Sequence, residues 1–315
     1  MYFWPSREKP RRRMPPMNKL SALIKRNVKL FFKDRGMFFA SMITPAILLL
    51  LYSTFLWKSY KDGFTSTVLQ GVGLSDSVID GFIGGQLASS VLAVSCVTVA
   101  FCSNMVMVQD KALGNVRDLN VAPVRPALLA LGYYISALIS TLIVCFAATG
   151  LCLAYVHHVG WYMSGGDIAY LLLDVVLLSM FGTALSSGVN FFLSSQGQIS
   201  AVGTIVSAGY GFICGAYMPI SQFSKNLQRV VSYFPGYYGT SIMRVHAMRG
   251  ACEQMASDGA PDKALDWIKD FVDWNVYFDD KLVSMRSKYM ILGLTVAALV
   301  AVYIVMNVIR NRKSV

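Results

Sequence analysis

Long uncharged apolar runs alternate with short polar segments along most of this chain. Six runs approach or exceed the roughly 20 residues that a helix needs to cross a hydrocarbon core: 37–57, 81–108, 127–155, 168–193, 199–218 and 289–309. With no water to satisfy backbone N–H and C=O groups, each run predicts a helix, and the chain an all-α membrane protein with six transmembrane helices. A different period precedes the first run. Leu20, Leu23, Ile24, Val28, Phe31 and Phe32 recur at helical spacing, while Lys19, Lys25, Arg26, Lys29 and Lys33 take the other positions. That pattern predicts an amphipathic interfacial helix over 18–35. Pro45, inside the first run, predicts a bend.

The polar segments differ in kind. Residues 58–80 are polar and contain Gly, as an outer loop or small cap would. After Met218 the pattern breaks up: Pro219 ends a helix, 220–234 is amphipathic with Lys225 and Arg229, and Pro235-Gly236 turns the chain into 237–248. These pieces are too short and polar to cross, and predict a re-entrant helical hairpin within an outer segment, 219–286. Its later part, 250–286, is of mixed charge, with Trp267, Phe271 and Trp274 on one helical face. Small residues recur at four-residue spacing in two runs: Gly182, Ser186 and Asn190, then Gly203, Ser207, Gly211 and Gly215. Such ladders let helices approach closely in lipid, packing within one subunit or forming a face that slides against a neighbour or lines the pathway.

Composition strengthens the membrane reading. The 315 residues are 55% hydrophobic and 14% charged, against about a quarter charged in soluble domains. The net charge of +11 gathers at the N-terminus, where Arg7, Lys9, Arg11, Arg12, Arg13, Lys19, Lys25, Arg26, Lys29, Lys33 and Arg35 face only Glu8 and Asp34. Positive charge stays inside, so the expected site is the plasma (inner) membrane, with both termini cytoplasmic; Arg310, Arg312 and Lys313 agree. The charge belongs to a membrane face rather than to a nucleic-acid interface, which needs basic and aromatic residues interleaved on a soluble module. Residues 1–17 read as a basic disordered tail, with Met17 a second candidate start, and 311–315 as a short cytoplasmic tail. No run resembles a cleaved signal peptide. Five of the six Cys lie in apolar runs and only Cys252 outside them, so no disulfide framework is expected.

Catalytic chemistry is missing from the pattern. No GxxxxGK[ST] loop exists to cradle phosphates, so this chain alone is not expected to hydrolyse ATP; GxSxG and HExxH are absent too. His157 and His158 are adjacent and point apart on a helix, and Asp279-Asp280 lacks a base or metal partner, so no metal site is expected. Asp174 is the ionisable residue inside a run, about two turns from its outer end, where it would reach interfacial water or pair with a Tyr. A polar-neutral, aromatic pathway lining is expected from Asn104, Ser200, Thr204, Ser207, Tyr210, Phe212 and Tyr217.

The most telling segment is 109–126, QDKALGNVRDLNVAPVRP, between two uncharged runs. Asp110, Lys111, Arg117 and Asp118 are spaced for a short helix, Gly114 permits close approach, and Pro123 and Pro126 stop it. This loop resembles the coupling helix with which type-2 ABC exporter permeases engage their ATPase, and Met-Pro after the fifth run and Phe-Pro-Gly before the last resemble their outer gate. The resemblance implies a permease domain over 36–310, a homodimer or a pair with a related permease in membrane lipid, and two ABC ATPase subunits docked through Gln109, Asp110, Lys111, Gly114, Arg117 and Asp118. It also implies a gate at Pro219, Phe234, Pro235 and Gly236. ATP and Mg would then bind the partner and no cofactor this chain. Gln109 stands where the family carries Glu, so Asp110 would supply the acid. Likeness to multidrug and antibiotic-resistance permeases favours outward transport of a small amphiphile (drug, antibiotic or toxin-like). The alternatives are a lipid-linked polysaccharide, or an ion-coupled secondary transporter that uses Asp174.

Overall fold

A computed structural model describes residues 16–67, 74–115 and 125–312. It is built of helices, with one two-residue antiparallel hairpin, β1 (Tyr277–Phe278) and β2 (Lys281–Leu282). The first helix, α1 (Pro16–Lys33), follows its amphipathic pattern: Leu23, Asn27 and Phe31 are buried, while Lys25, Lys29 and Lys33 are exposed. Asp34 then caps α2 (Arg35–Leu51), accepting from the Met37 backbone N–H at 3.1 Å. The helix runs on through Pro45; the irregular turn falls later, as a π-turn over Tyr52–Leu56 leading into α3 (Trp57–Thr67). α3 occupies part of the segment expected to be an outer loop or small cap, and Lys61 on it pairs with Asp80 at 2.8 Å.

The second run forms α4 (Asp76–Ser103) and α5 (Met105–Ala112), which meet at Asn104. Next come α6 (Pro126–Val159), α7 (Gly165–Phe191) and α8 (Gln196–Ile213). After a 3₁₀ turn at Ile220–Gln222 the chain forms α9 (Lys225–Val231), α10 (Pro235–Ser257), α11 (Asp262–Phe271), the hairpin and α12 (Met285–Arg312). Among the described residues five stretches are long and apolar enough to cross a membrane: Arg35–Phe64, Asp76–Ala112, Pro126–Val159, Gly165–Phe191 and Met285–Arg310. The chain is a multi-pass membrane protein. The run at 199–218 falls on α8, which is not among the five: it opens with two Gln, is rich in Gly and Ser, and stops at Ile213, with Gly215 turning the chain at φ 73°.

The centre of the bundle is α4, buried almost all round between α2, α6, α7 and α10. Its small residues make this possible. A Cβ on Gly85 would run into the Ala247 carbonyl of α10, and one on Gly81 would lie 2.7 Å from the Gly160 carbonyl oxygen. Opposite it, a Cβ on Gly182 of α7 would lie 2.7 Å from the Cys96 carbonyl oxygen. Lipid offers helices no hydrophobic drive to associate, so close backbone contact of this kind supplies the packing. The second piece of the expected hairpin is longer than 237–248: α10 has 23 residues and is buried from Gly236 through Met248 despite its Arg244 and His246. All six cysteines are free thiols.

Candidate functional site

Three helices on one side of α4 and α5 leave a groove of about 580 Å³. Ala40, Ile43, Ile47 and Leu48 of α2 form one wall, and Ile199, Ser200, Gly203, Thr204, Ser207 and Ala208 of α8 the other. Thr98, Phe101, Cys102 and Met105 make the floor, Asn190 of α7 one end, and Tyr217 completes the lining. No lining residue is charged. Volume and lining suit one small, largely apolar molecule with a few neutral polar groups.

Each wall has a local cause. Ser195 and Gln198 start α8 with a reciprocal capping box, Ser195 Oγ accepting from the Gln198 N–H at 3.3 Å. Tyr217 lies flat over Gly211, where any Cβ would strike its ring, and its hydroxyl donates to the Ser207 carbonyl at 2.8 Å.

Of the residues expected to line a pathway, Ser200, Thr204, Ser207 and Tyr217 do line this groove. Asn104 lies within the helix packing, donating to Ser186 Oγ at 3.0 Å and Ser187 Oγ at 2.7 Å. Tyr210 is buried against Gly236, and Phe212 is half exposed, edge-on to Tyr217. The apolar α2 wall escaped the sequence reading, because a polar-residue search passes over aliphatic lining; Asn190 stands out in the sequence only as part of a small-residue ladder.

The segment expected to dock a partner starts as the tail of the second run. Gln109, Asp110 and Lys111 belong to α5, and Gly114, at φ 80°, follows its end; Arg117 and Asp118 lie outside the described residues. Asp110 faces inward. Arg26 of α1 grips it with two hydrogen bonds of 2.6 and 2.7 Å, Tyr133 of α6 donates at 2.6 Å and Asn115 at 3.0 Å. This bidentate pair ties α1, α5 and α6 together, and its hydrogen bonds raise the Arg26 guanidinium above its ordinary pKa. Lys111 donates to the carbonyls of Asn190 and Phe191 at 2.8 Å and of Leu193 at 3.1 Å, satisfying orphan groups at the C-terminus of α7.

A second ionic brace sits at the opposite end of the bundle. Arg244 of α10, fully buried, donates to Asp273 at 3.0 Å and to the Gly215 carbonyl. Asp273, held at φ 54°, also accepts from the backbone N–H of Ile220 at 2.6 Å and Ser221 at 3.0 Å. Burial pushes the Asp273 carboxyl up, and the Arg244 charge pulls it back. The brace fixes the turn that carries Pro219. Pro235 opens α10 and Gly236 lets Tyr210 approach, while Phe234 is exposed. Sequence reasoning missed this pair, although an Arg inside a segment expected to enter the membrane is a signal in itself.

Asp174 does pair with a Tyr, as expected: the Tyr289 hydroxyl donates to it at 2.5 Å, and His246 Nδ1 lies 2.6 Å from its other oxygen. Among the described residues no group of three or more His, Cys, Asp or Glu side chains could hold a metal ion.

The model of the ABC-2 type transporter family matches residues 18–247, from α1 through the buried part of α10. No curated protein matches the chain.

Proposed function

We propose that this chain, which belongs to the ABC-2 type transporter family, is the permease subunit of an ATP-driven exporter of a small amphiphile. Membership implies an ABC ATPase partner. The observation that carries the finer reading is the uncharged groove of about 580 Å³ between α2, α4 and α8. Its emptiness of charge selects against ions and strongly charged solutes, because a charge there would lose its hydration unpaid. Its size fits a drug-like molecule rather than a polymer.

In this reading α8 spans the bilayer as a sixth, shorter helix, the α1 end is cytoplasmic, and the Arg244–Asp273 end faces out. The permease pairs with a second copy or a related permease across the open α2 and α8 faces. Two ATPase subunits dock at the 109–126 loop, holding ATP and Mg, while this chain binds neither. Asp110 and Lys111 then act one step behind the contact: the loop leaves α5, which Asp110 ties to α1 and α6 and Lys111 to the end of α7. A push on the loop would reach four helices at once. Arg117, Asp118 and the exposed Leu113 remain for the partner's surface. Pro219, Phe234, Pro235 and Gly236 border the outward exit.

The test is co-purification from detergent-solubilised native membranes, with ATPase activity assayed on the eluate. The expected result is a nucleotide-binding subunit whose retention is lost in Arg117→Ala/Asp118→Ala at equal expression. Retention by that variant would sink the docking assignment, and elution without any ATPase would sink the exporter reading.

A further inference from the structure

One polar side chain in the groove wall is left without a bond. Asn190, the last residue but one of α7, closes one end of the groove and is 2% exposed. Its Nδ2 is buried and has no hydrogen-bond partner among the described residues, and no other lining residue carries a buried side-chain polar atom in that state. The other hydroxyls of the wall behave differently. Thr98 and Thr204 donate to the Val94 and Ser200 carbonyls of their own helices at 3.0 and 2.9 Å, and Tyr217 donates to the Ser207 carbonyl. Ser200 is exposed and Ser207 half-buried on the more open α8 wall.

Packing within the bundle does not account for the orphan. One turn earlier on α7, Ser186 and Ser187 accept both donors of the Asn104 amide, so the neighbouring amide is satisfied. The main-chain carbonyl of Asn190 is satisfied as well, by Lys111. Only the side-chain N–H of Asn190 waits for an acceptor, and buried polar groups in folded proteins nearly always have one. A terminal amide turns about χ2 with little resistance, so this N–H can meet whatever oxygen the groove holds.

The surroundings decide the charge of that oxygen. Two cations lie close to this end of α7, and both are turned to its backbone and to Phe191. Lys111 places its three donors on the carbonyls of Asn190, Phe191 and Leu193, and Arg310 lies over the Phe191 ring at 5.3 Å. A carboxylate or phosphate at Asn190 would therefore lose its hydration with no lining charge to replace it. A carbonyl, sulfonyl or ether oxygen loses far less. Ile43 and Ile47 of α2, with Phe101 and Met105 on the floor, receive the hydrocarbon part.

We propose that Asn190 is the specificity-determining residue of the groove: its amide N–H takes an uncharged oxygen acceptor at one end of a small, otherwise apolar molecule. The inference rests on the groove being the transport site proposed above, and it narrows the transported class from small amphiphiles in general to neutral ones with such an acceptor. The groove volume of about 580 Å³ favours a drug-sized molecule over a two-chain lipid.

The experiment is photolabelling of the full-length chain in detergent micelles with benzophenone, the labelled peptides being located by mass spectrometry. Two competitors of the same shape are compared: 9-fluorenone, which has a carbonyl, and fluorene, which has none. In the wild type, label is expected on groove residues such as Met105, and 9-fluorenone should displace it at a concentration roughly tenfold lower than fluorene, the worth of about one hydrogen bond. Asn190→Leu should still be labelled but lose the preference. It should also unfold at the wild-type temperature, because Nδ2 makes no bond within the protein to lose. Thr204→Val should keep the preference. The wild-type comparison stands even if the variant fails to fold. Equal displacement by both competitors in the wild type, an undiminished preference in Asn190→Leu, or displacement by dioleoylphosphatidylcholine but not by 9-fluorenone overturns the role of Asn190 while leaving the groove as a binding site. Absence of any groove label in the wild type overturns the groove reading itself, and this inference with it.

Discussion

α4 and α8 carry similar small residues and use them in opposite ways. α4 has Gly81, Gly84, Gly85, Ser89 and Ser90; α8 has Gly203, Ser207, Gly209 and Gly211. On α4 the missing side chains are filled by neighbours: α10 presses its backbone against Gly85, and the turn after α6 does the same at Gly81. On α8 a Cβ at Gly209 would meet nothing within 4 Å, and one at Gly203 only the Met105 terminal carbon at 3.7 Å. Small residues bring helices together only where a second helix is present to approach. One ladder is finished within this chain, and the other, covered at Gly211 by Tyr217, stays open at Gly203 and Gly209, where the proposed second copy and the transported molecule would meet it.

The comparison breaks most visibly where the closed side is damaged. Arg244→Leu should cost about 3–5 kcal/mol, because it strands Asp273 as a buried unpaired charge. Burial already raises the Asp273 carboxyl, so acidification should restore part of that loss as the carboxyl takes up a proton; thermal unfolding at two pH values checks both statements. Gly85→Val comes next, at about 1–3 kcal/mol or more, since the α10 backbone cannot withdraw from the new side chain. Asp110→Asn should have a smaller effect, about 1 kcal/mol, because Arg26 is partly solvated. Its sharper readout is release of α1, seen as faster tryptic cleavage at Lys25 and Lys29. Gly209→Leu should change unfolding by less than about 0.5 kcal/mol yet reduce crosslinking between copies through α8. A large stability loss there would mean that the α8 face is packed within the single chain and would erase the contrast with α4.

Much of the fold was legible in the sequence, because the signals are local. Five of the six apolar runs are membrane-length helices, and Leu23 and Phe31 are buried in α1 as their spacing required. Four of the seven expected lining residues share one groove, because Ser200, Thr204 and Ser207 repeat on one face of α8 and Tyr217 folds back over Gly211. Where the expectation and the structure part, a distant partner intervened. Asp110 and Lys111 looked like loop charges and became internal braces, because Arg26 and the open C-terminus of α7 offered them bonds.

Hydrophobic period and length thus determined by themselves that this chain enters a membrane as a bundle of helices with a basic amphipathic helix at its N-terminal end, since those properties depend on neighbours a few residues apart. Only the tertiary structure decided which buried charges pair. Arg244 meets Asp273, and Asp174 meets His246 and Tyr289, across 29, 72 and 115 positions of sequence. No local pattern encodes such separations. A charge inside a bundle must find its partner in space, and packing alone determines which helix brings it.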